Sequence, residues 1–362
     1  MITDRAIWEK ELSRWTEEKK IAGAAVALTD RDRILWEQGF GVTSVEKPWD
    51  RVSPQTLFRI ASNTKFTVGL CAMILWERGL LDLDAPVKKY LPWFTVAGIT
   101  EAPENAGSVK KTAGPDAAER ITVRKLLSHT AGLPAEYTPD GPREESRLEE
   151  VLMEIVPPLA LIADPDENHY LYSNYGVRLV ACLMEKITGK KFSALCRELV
   201  LAPLGMEKTT FDLFQAATYE LALPHYKNEA GEPAVEHQFH ENAARYAAGG
   251  LFSNVHEMTA LARVKLNGGA PLLSEEAWRQ MSTPYVRMTD IKQEGYYGIT
   301  LMKRCYNGTW LYGHTGSHPP FYSCIWTEPE SGFGVCFTIN TEGGPAFTNY
   351  IVPELFTSGG SL

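Results

Sequence analysis

The sequence predicts an α/β (α+β) fold in which one antiparallel sheet, flanked by helices, is built from both ends of the chain. Strand-like apolar runs lie near both termini, whereas the middle of the chain carries helical periodicity. Residues 328–332, Glu-Pro-Glu-Ser-Gly, join the last two strand-like runs as a hairpin turn, which predicts antiparallel pairing there. Helices placed between these two groups of strands predict a mostly helical domain inserted into a sheet domain.

The predicted elements follow one another in this order. An amphipathic helix at 4–18 precedes two strands joined by a polar turn, and a third short strand leads into a long helix that ends at a glycine. These strands lie at 22–28, 34–41 and 57–60, and the long helix runs from Asn63 to Gly79. Further helices are predicted at 122–129, 146–162, 174–188, 191–200, 255–267 and 349–356, and further strands at 296–302, 309–312, 321–327 and 333–340.

Two domains follow from this order. Residues 1–90 and 240–362 are predicted to form the sheet domain, and residues 91–239 the mostly helical domain. The stretch from about 92 to 120 is rich in glycine and proline, and helices resume directly after it. It is therefore predicted to be a surface insertion and not a domain boundary.

Composition and charge exclude several classes of function. Of the 362 residues, 44% are hydrophobic and 22% are charged, which is ordinary for a globular protein. The net charge of −9 argues against a nucleic-acid partner, because phosphate binding needs clustered lysine and arginine. The six cysteines include no C-x-x-C pair, and several lie in apolar runs. They are predicted to be buried free thiols in a reducing compartment.

The sequence contains no segment long enough to span a bilayer. The apolar run at 21–28 follows two lysines, but it is only eight residues long and a charged amphipathic stretch precedes it. A first core strand is therefore predicted there in preference to a signal peptide. We expect a cytoplasmic protein, unless a native leader is missing from this sequence.

The pattern S-x-x-K, in which a lysine can activate a serine, occurs three times. Ser44 lies at a strand end before a proline, and Ser108 lies in the surface insertion. Ser62 instead begins the long helix, so Lys65 falls on the same face about one turn further on. The helix N-terminus adds free N–H groups and a positive dipole that suit an oxyanion. The alternative is that Ser62 only caps the helix.

Two other patterns could carry chemistry. Tyr172 and Asn174 form a Y-x-N pattern at the entry to an apolar helix, where a phenol could relay a proton if an ammonium lowers its pKa. The alternative is a buried aromatic residue followed by an asparagine cap. A second Y-x-N, at 226–228, resembles a turn. The unique His-Thr-Gly at 314–316 follows a strand, and its glycine permits close approach of another backbone or a ligand, although His314 alone could be a satisfied core histidine.

His237 and His240, flanked by glutamates, are the best candidates for a pair of metal ligands. A structural zinc site normally needs four ligands, and the sequence does not indicate a third. The sequence also contains no P-loop, G-x-G-x-x-G, H-E-x-x-H or G-x-S-x-G. We therefore predict no metal and no cofactor.

The three patterns S-x-x-K at Ser62, Y-x-N at Tyr172 and H-T-G at His314 occur in this order and lie more than a hundred residues apart. Together they resemble the motifs of the penicillin-recognising serine hydrolases, in the branch that holds class C β-lactamases, DD-peptidases, D-aminopeptidases and related esterases. The resemblance covers nearly the whole chain. Further segments similar to landmarks of that family lie at 57–62, 79–84, 126–133, 203–206 and 248–253.

This resemblance implies a β-lactamase/transpeptidase-like fold with the active site at the junction of the two domains. It also implies an acyl-enzyme on Ser62. Lys65 and Tyr172 would share the role of the base, and the resemblance leaves open which of them takes the proton. The N–H groups of Ser62 and Ser317 would form the oxyanion hole.

The same resemblance implies the groups that bind the substrate. Asn174 would hold the substrate amide, and His314 and Thr315, with Gly316 completing the motif, would face the substrate's carboxylate or the tyrosine. The third motif begins with histidine where most β-lactamases of this branch have lysine. Because a histidine is largely neutral at pH 7, it anchors an anionic substrate more weakly. This departure favours a DD-peptidase or an esterase over a β-lactamase.

The leading hypothesis is a serine peptidase, amidase or carboxylesterase that acts on small or short-peptide acyl substrates of D-configured or ester character. Penicillin binding, and hence β-lactams as ligands, follows from the same resemblance. One alternative is a β-lactamase, which would need fast attack of water on the acyl-enzyme. The other is a non-catalytic binder or sensor on the same scaffold. The sequence makes no prediction about oligomeric state.

Overall fold

The computed structural model describes residues 4–98, 116–135, 147–155, 160–239 and 246–358. Its strands form one large antiparallel sheet and two small pairs. In chain order the strands are β1 (Gly23–Thr29), β2 (Ile34–Gly41), β3 (Phe58–Arg59), β4 (His225–Lys227), β5 (Pro233–Val235), β6 (Phe252–Ser253), β7 (Val286–Arg287), β8 (Gly295–Tyr297), β9 (Met302–Tyr306), β10 (Thr309–His318), β11 (Phe321–Glu328) and β12 (Phe333–Ile339).

The large sheet joins the two ends of the chain. Its eight strands within the described residues follow the order β2-β1-β12-β11-β10-β9-β8-β7. β1 pairs antiparallel with both β2 and β12, with Val26 opposite Phe337 in the second pairing. The predicted fold, a sheet assembled from both termini, is therefore confirmed.

Helices cover the sheet and fill the middle of the chain. They are α1 (Arg5–Glu18), α2 (Thr64–Glu77), α3 (Val123–Leu127), α4 (Leu148–Ile155), α5 (Asn174–Thr188), α6 (Phe192–Cys196), α7 (Leu213–Ala216), α8 (Tyr246–Gly249), α9 (Val255–Leu266), α10 (Glu275–Ser282) and α11 (Val352–Thr357). Within the described residues, none of them combines the length and the apolar character needed to cross a membrane.

Strand β1 is buried on both faces because helices pack on each side of the sheet. Ala24, Val26 and Leu28 point to the side that α1 and α11 cover, and the alternate residues Ala25 and Ala27 point to the side that holds α2 and α9. This alternation follows from the period of two along a strand. The sheet therefore separates two hydrophobic layers, and the larger one contains α2.

Helix α2 is buried almost all round, since every residue from Thr64 to Leu75 is buried. A helix that is apolar on all faces belongs in the interior of a domain. This packing fixes the start of α2, and with it the residues directly before it, against the sheet and against α5 and α8.

Local predictions differ from the structure in several places, of which the following are examples. The single strand predicted at 296–302 is two strands, β8 and β9, separated by a bend in which Thr300 has a positive φ of 51°. Of the helix predicted at 146–162, the structure describes α4 (Leu148–Ile155), and the described residues 160–162 are not helical. The β4–β5 hairpin was not predicted, because its strands are only three residues long.

Candidate active site

Ser62 lies in a single 3₁₀ turn, Ala61–Asn63, between β3 and α2. Ala61 has a φ of 48°, a left-handed conformation that is uncommon for a residue with a side chain. The cap of α2 is Asn63, and no side chain caps this helix end. Ser62 is therefore not the helix cap that the alternative interpretation required, and its hydroxyl is engaged elsewhere.

The partner of the Ser62 hydroxyl is Lys65. Its Nζ donates hydrogen bonds to Ser62 Oγ at 2.9 Å and to the carbonyl oxygen of Ala248 at 2.7 Å. The Lys65 side chain is fully buried, and its Nζ lies 5.0 Å from the centroid of the Tyr172 ring. The structure thus brings together the serine, the lysine and the tyrosine that the sequence identified separately.

Helix α5 places the second motif on the same site. Ser173 caps α5, because its hydroxyl accepts a hydrogen bond from the Gly176 N–H at 3.3 Å and donates to the Pro134 carbonyl at 2.8 Å. The asparagine that follows is therefore not the cap. Asn174 lines the same cavity as Ser62.

Strand β10 lies directly against the turn that carries Ser62. A Cβ atom on Gly316 would lie 2.2 Å from the carbonyl oxygen of Ile60, so only glycine allows this approach. Ser323 joins the two segments, since its Oγ donates to the Ile60 carbonyl at 2.6 Å and accepts from Asn63 Nδ2 at 2.7 Å. Ser317, one residue beyond the glycine, is exposed at the cavity wall.

A buried chain of hydrogen bonds links the second motif to the third. The Ser173 N–H donates to His129 Nδ1 at 3.1 Å, so Nε2 of this ring carries the proton that faces the Tyr297 hydroxyl at 3.2 Å. The Tyr297 hydroxyl then donates to His314 Nε2 at 2.9 Å, because His314 Nδ1 bonds to the carbonyl of Thr315 at 2.6 Å and must be its donor.

The two histidines in this series of hydrogen bonds, His129 and His314, are held neutral. Burial, reinforced by the charge of Lys65, lowers the pKa of His129 and of His314 well below 6.5. His314 is buried, whereas Thr315, the next residue of β10, is partly exposed. The sequence did not identify Tyr297 or Ser323, and His129 was noted only within the landmark segment 126–133.

Replacing Tyr297 by phenylalanine is expected to destabilise the protein by about 2 kcal/mol or more, because a buried donor and a buried acceptor would both lose their partner. Chemical denaturation measures this change. Tyr170→Phe is the matched control, since Tyr170 packs in the same aromatic cluster and its buried hydroxyl has no hydrogen-bond partner among the described residues. Equal costs for the two variants would contradict the assigned hydrogen bonds.

A cavity of about 390 Å³ opens in front of Ser62. This volume is large enough for a small acyl group. Its described lining residues are Arg59, Ala61, Ser62, Asn174, Arg178, Ala248, Gly249, Ser317, His318 and Pro319.

Two of the remaining candidates from the sequence are described by the structure, and neither is among the residues that line this cavity. Ser44 is buried in a turn, where its Oγ accepts from the Glu46 N–H at 3.3 Å. His237 is exposed and contacts Glu46 at 3.1 Å. Ser108 and His240 lie outside the described residues.

Fold and site together define a β-lactamase/transpeptidase-like protein, in which a lysine-paired serine lies between a sheet and a helical region. The chain belongs to the Beta-lactamase family, whose model matches residues 8–352. It therefore belongs to a family of hydrolases, and the predicted resemblance is confirmed.

Three similar proteins are each at most 28% identical to this chain in sequence. The penicillin-binding protein homologue from Pyrococcus abyssi, an octamer, has a TM-score of 0.78 and 24% identity over 98% of this chain and 78% of that one. The D-amino acid amidase from Ochrobactrum anthropi has a TM-score of 0.77 and 20% identity over 97% of both chains. At these identities the two structures show a shared fold. Protein flp from Staphylococcus aureus is 28% identical over 53% of this chain, and the match spans only 35% of its own length.

Proposed function

We propose that this protein is a serine amidase or esterase that forms an acyl-enzyme on Ser62 with small acyl substrates. The observation that carries the proposal is the 2.9 Å hydrogen bond between Lys65 Nζ and Ser62 Oγ at the mouth of the cavity. A serine hydroxyl is a weak nucleophile until an adjacent base takes its proton. In its neutral amine form, the buried Lys65, together with the Tyr172 whose ring it contacts, would supply that base.

The proposed reaction has two steps. Ser62 Oγ attacks the carbonyl carbon while its proton passes to the Lys65–Tyr172 pair, and the same pair protonates the departing amine or alcohol as the C–N or C–O bond breaks. Water then attacks the carbonyl carbon of the acyl-enzyme and gives a proton to the same pair. The C–Oγ bond breaks, the proton passes to Ser62 Oγ, and the acid leaves. The N–H groups of Ser62 and Ser317 stabilise the oxyanion in both steps.

The proposed substrate is an amide or ester of a small acyl group, and D-configured amino-acid derivatives are the first class to examine. Asn174 on the cavity wall offers both a donor and an acceptor to a substrate amide. The similar D-amino acid amidase was solved with L-phenylalanine amide, a ligand of a size that this cavity suits.

The test uses intact-mass measurement after incubation with a fluorescent penicillin and, separately, with a p-nitrophenyl ester. We expect a covalent adduct on the wild type and on Ser44→Ala, the matched S-x-x-K control, and none on Ser62→Ala. The lifetime of the penicillin adduct separates penicillin binding from β-lactamase turnover. Ester turnover that survives in Ser62→Ala overturns the proposal. If the adduct depends on Ser62, a panel of D-amino acid amides then ranks the leaving groups.

A further inference from the structure

Two arginines line the cavity in front of Ser62. Arg178 lies on α5 one helical turn after Asn174, so both side chains occupy the same face of the helix. Arg59 ends β3, and its guanidinium lies 4.9 Å from the centroid of the Phe252 ring. Both residues are only 2% exposed. Buried arginines keep their charge, because the guanidinium does not lose its proton in proteins.

Among the described residues that line the cavity, the charged side chains are positive. Its described lining residues include these two arginines and His318 but no carboxylate. His314, the first residue of the third motif, contributes no positive charge. Its Nε2 accepts a hydrogen bond from the Tyr297 hydroxyl and its Nδ1 donates to the Thr315 carbonyl, so the ring is neutral. Besides Lys65, which contacts Ser62 Oγ, the positive charge at this cavity comes from Arg178 on α5 and Arg59 on β3, and it is buried where screening by solvent is weak.

A pair of guanidinium groups in a small, partly enclosed site recognises a planar anion best. An arginine can bind a carboxylate through two parallel hydrogen bonds, which fix its orientation as well as its charge. Both side chains also make contacts within the protein, so they are anchored before a substrate arrives. Because Arg178 follows Asn174, the anion would belong to the part of the substrate that Asn174 contacts.

We propose that Arg178, with Arg59 beside it, forms a subsite for a carboxylate on the acyl part of the substrate. The substrate class is then the amides and esters of acidic acyl groups, such as dicarboxylic half-esters or acidic amino-acid derivatives. This proposal rests on the proposed function of Ser62, and it names the group that selects the substrate.

The test compares two esters that differ only in charge, p-nitrophenyl hydrogen glutarate and its methyl ester. For the wild type we expect a higher kcat/KM with the anionic ester. Arg178→Gln should lower the ratio of the two kcat/KM values by about tenfold or more, since a hydrogen bond to a charged group is lost. Arg197→Gln, at an exposed arginine outside this cavity, is the matched control and should leave the ratio unchanged.

The outcomes separate this proposal from the proposed function. If the neutral ester acylates Ser62 and the ratio does not change in Arg178→Gln, the carboxylate subsite is overturned and the serine chemistry stands. If neither ester reacts, titration calorimetry of monomethyl glutarate against Ser62→Ala still tests the subsite. Binding that disappears in the Ser62→Ala/Arg178→Gln double variant supports it, and equal or absent binding in both proteins overturns it.

Discussion

Replacing Lys65 by methionine is expected to slow acylation of Ser62 by about a thousandfold, within the range that a general base contributes. The amine is the group in hydrogen-bond contact with Ser62 Oγ, and methionine keeps the length of the side chain without a proton acceptor of comparable strength. The measurement is the single-turnover rate of acylation by a p-nitrophenyl ester, followed by stopped-flow absorbance.

The fold should survive this substitution. Loss of the lysine leaves the Ala248 carbonyl without its 2.7 Å partner, but it also removes an ionisable group from a fully buried position, so the two effects oppose each other. A circular dichroism spectrum and a denaturation curve check that the loss of rate is not a loss of structure.

Lys265→Met provides the matched control for a buried lysine. The Nζ of Lys265 lies 3.5 Å from the centroid of the Phe66 ring and donates to the Leu261 carbonyl at 3.3 Å, away from Ser62. This variant should acylate at the wild-type rate. An acylation rate in Lys65→Met that equals that of Lys265→Met would remove Lys65 from the chemistry.

The parts of the site that could be predicted from the sequence are those that local spacing determines. Ser62 and Lys65 are three residues apart at the start of a helix, and Tyr172 and Asn174 stand at the entry to another. The turn at the start of α2 places Ser62 and Lys65 together, whereas Tyr172 precedes α5 and its position depends on more than helical spacing. The order of the motifs then indicated the family, which the match over residues 8–352 shows.

The parts that could not be predicted depend on contacts between distant segments. The Ala248 carbonyl that holds Lys65 is 183 residues away in the chain, and Ser323 is 263 residues from the Ile60 carbonyl that it contacts. No periodicity in the sequence of these segments predicts these contacts. His129 and Tyr297, which are 168 residues apart, are a similar case, because only the folded chain brings β8 next to the loop after α3.

The elements of the fold also separate into those that the local sequence predicts and those that depend on contacts between distant segments. The bounds of β1 and β2 were predicted to within one residue because apolar residues run through both strands. In contrast, β8 and β9 were predicted as a single strand. The bend between them depends on Thr300, whose N–H donates to the Leu127 carbonyl at 3.0 Å. This contact joins two distant parts of the chain, and the local sequence at 296–302 gives no sign of it.

Replacing Gly316 by alanine is expected to lower the acylation rate by about a hundredfold or more, because displacements near one ångström of a reacting group have effects of this size. The new Cβ would lie 2.2 Å from the Ile60 carbonyl oxygen and 2.4 Å from Ser323 Oγ. Neither contact can be kept, so β10 must move away from the turn that holds Ser62. That movement also shifts Ser317, whose N–H is proposed to bind the oxyanion.

The control is Gly334→Ala, a substitution in β12 of the same sheet. A Cβ on Gly334 would meet the methyl groups of Thr327 at 3.1 Å and Thr29 at 3.3 Å, which can yield by a few tenths of an ångström. Gly334→Ala should therefore change the free energy of unfolding without slowing acylation, and single-turnover kinetics on both variants make the comparison. If Gly316→Ala acylates as fast as Gly334→Ala, close contact between β10 and the Ser62 turn is not needed for the chemistry. A double variant, Gly316→Ala with Ser323→Ala, should not recover the rate, because the clash with the Ile60 backbone remains.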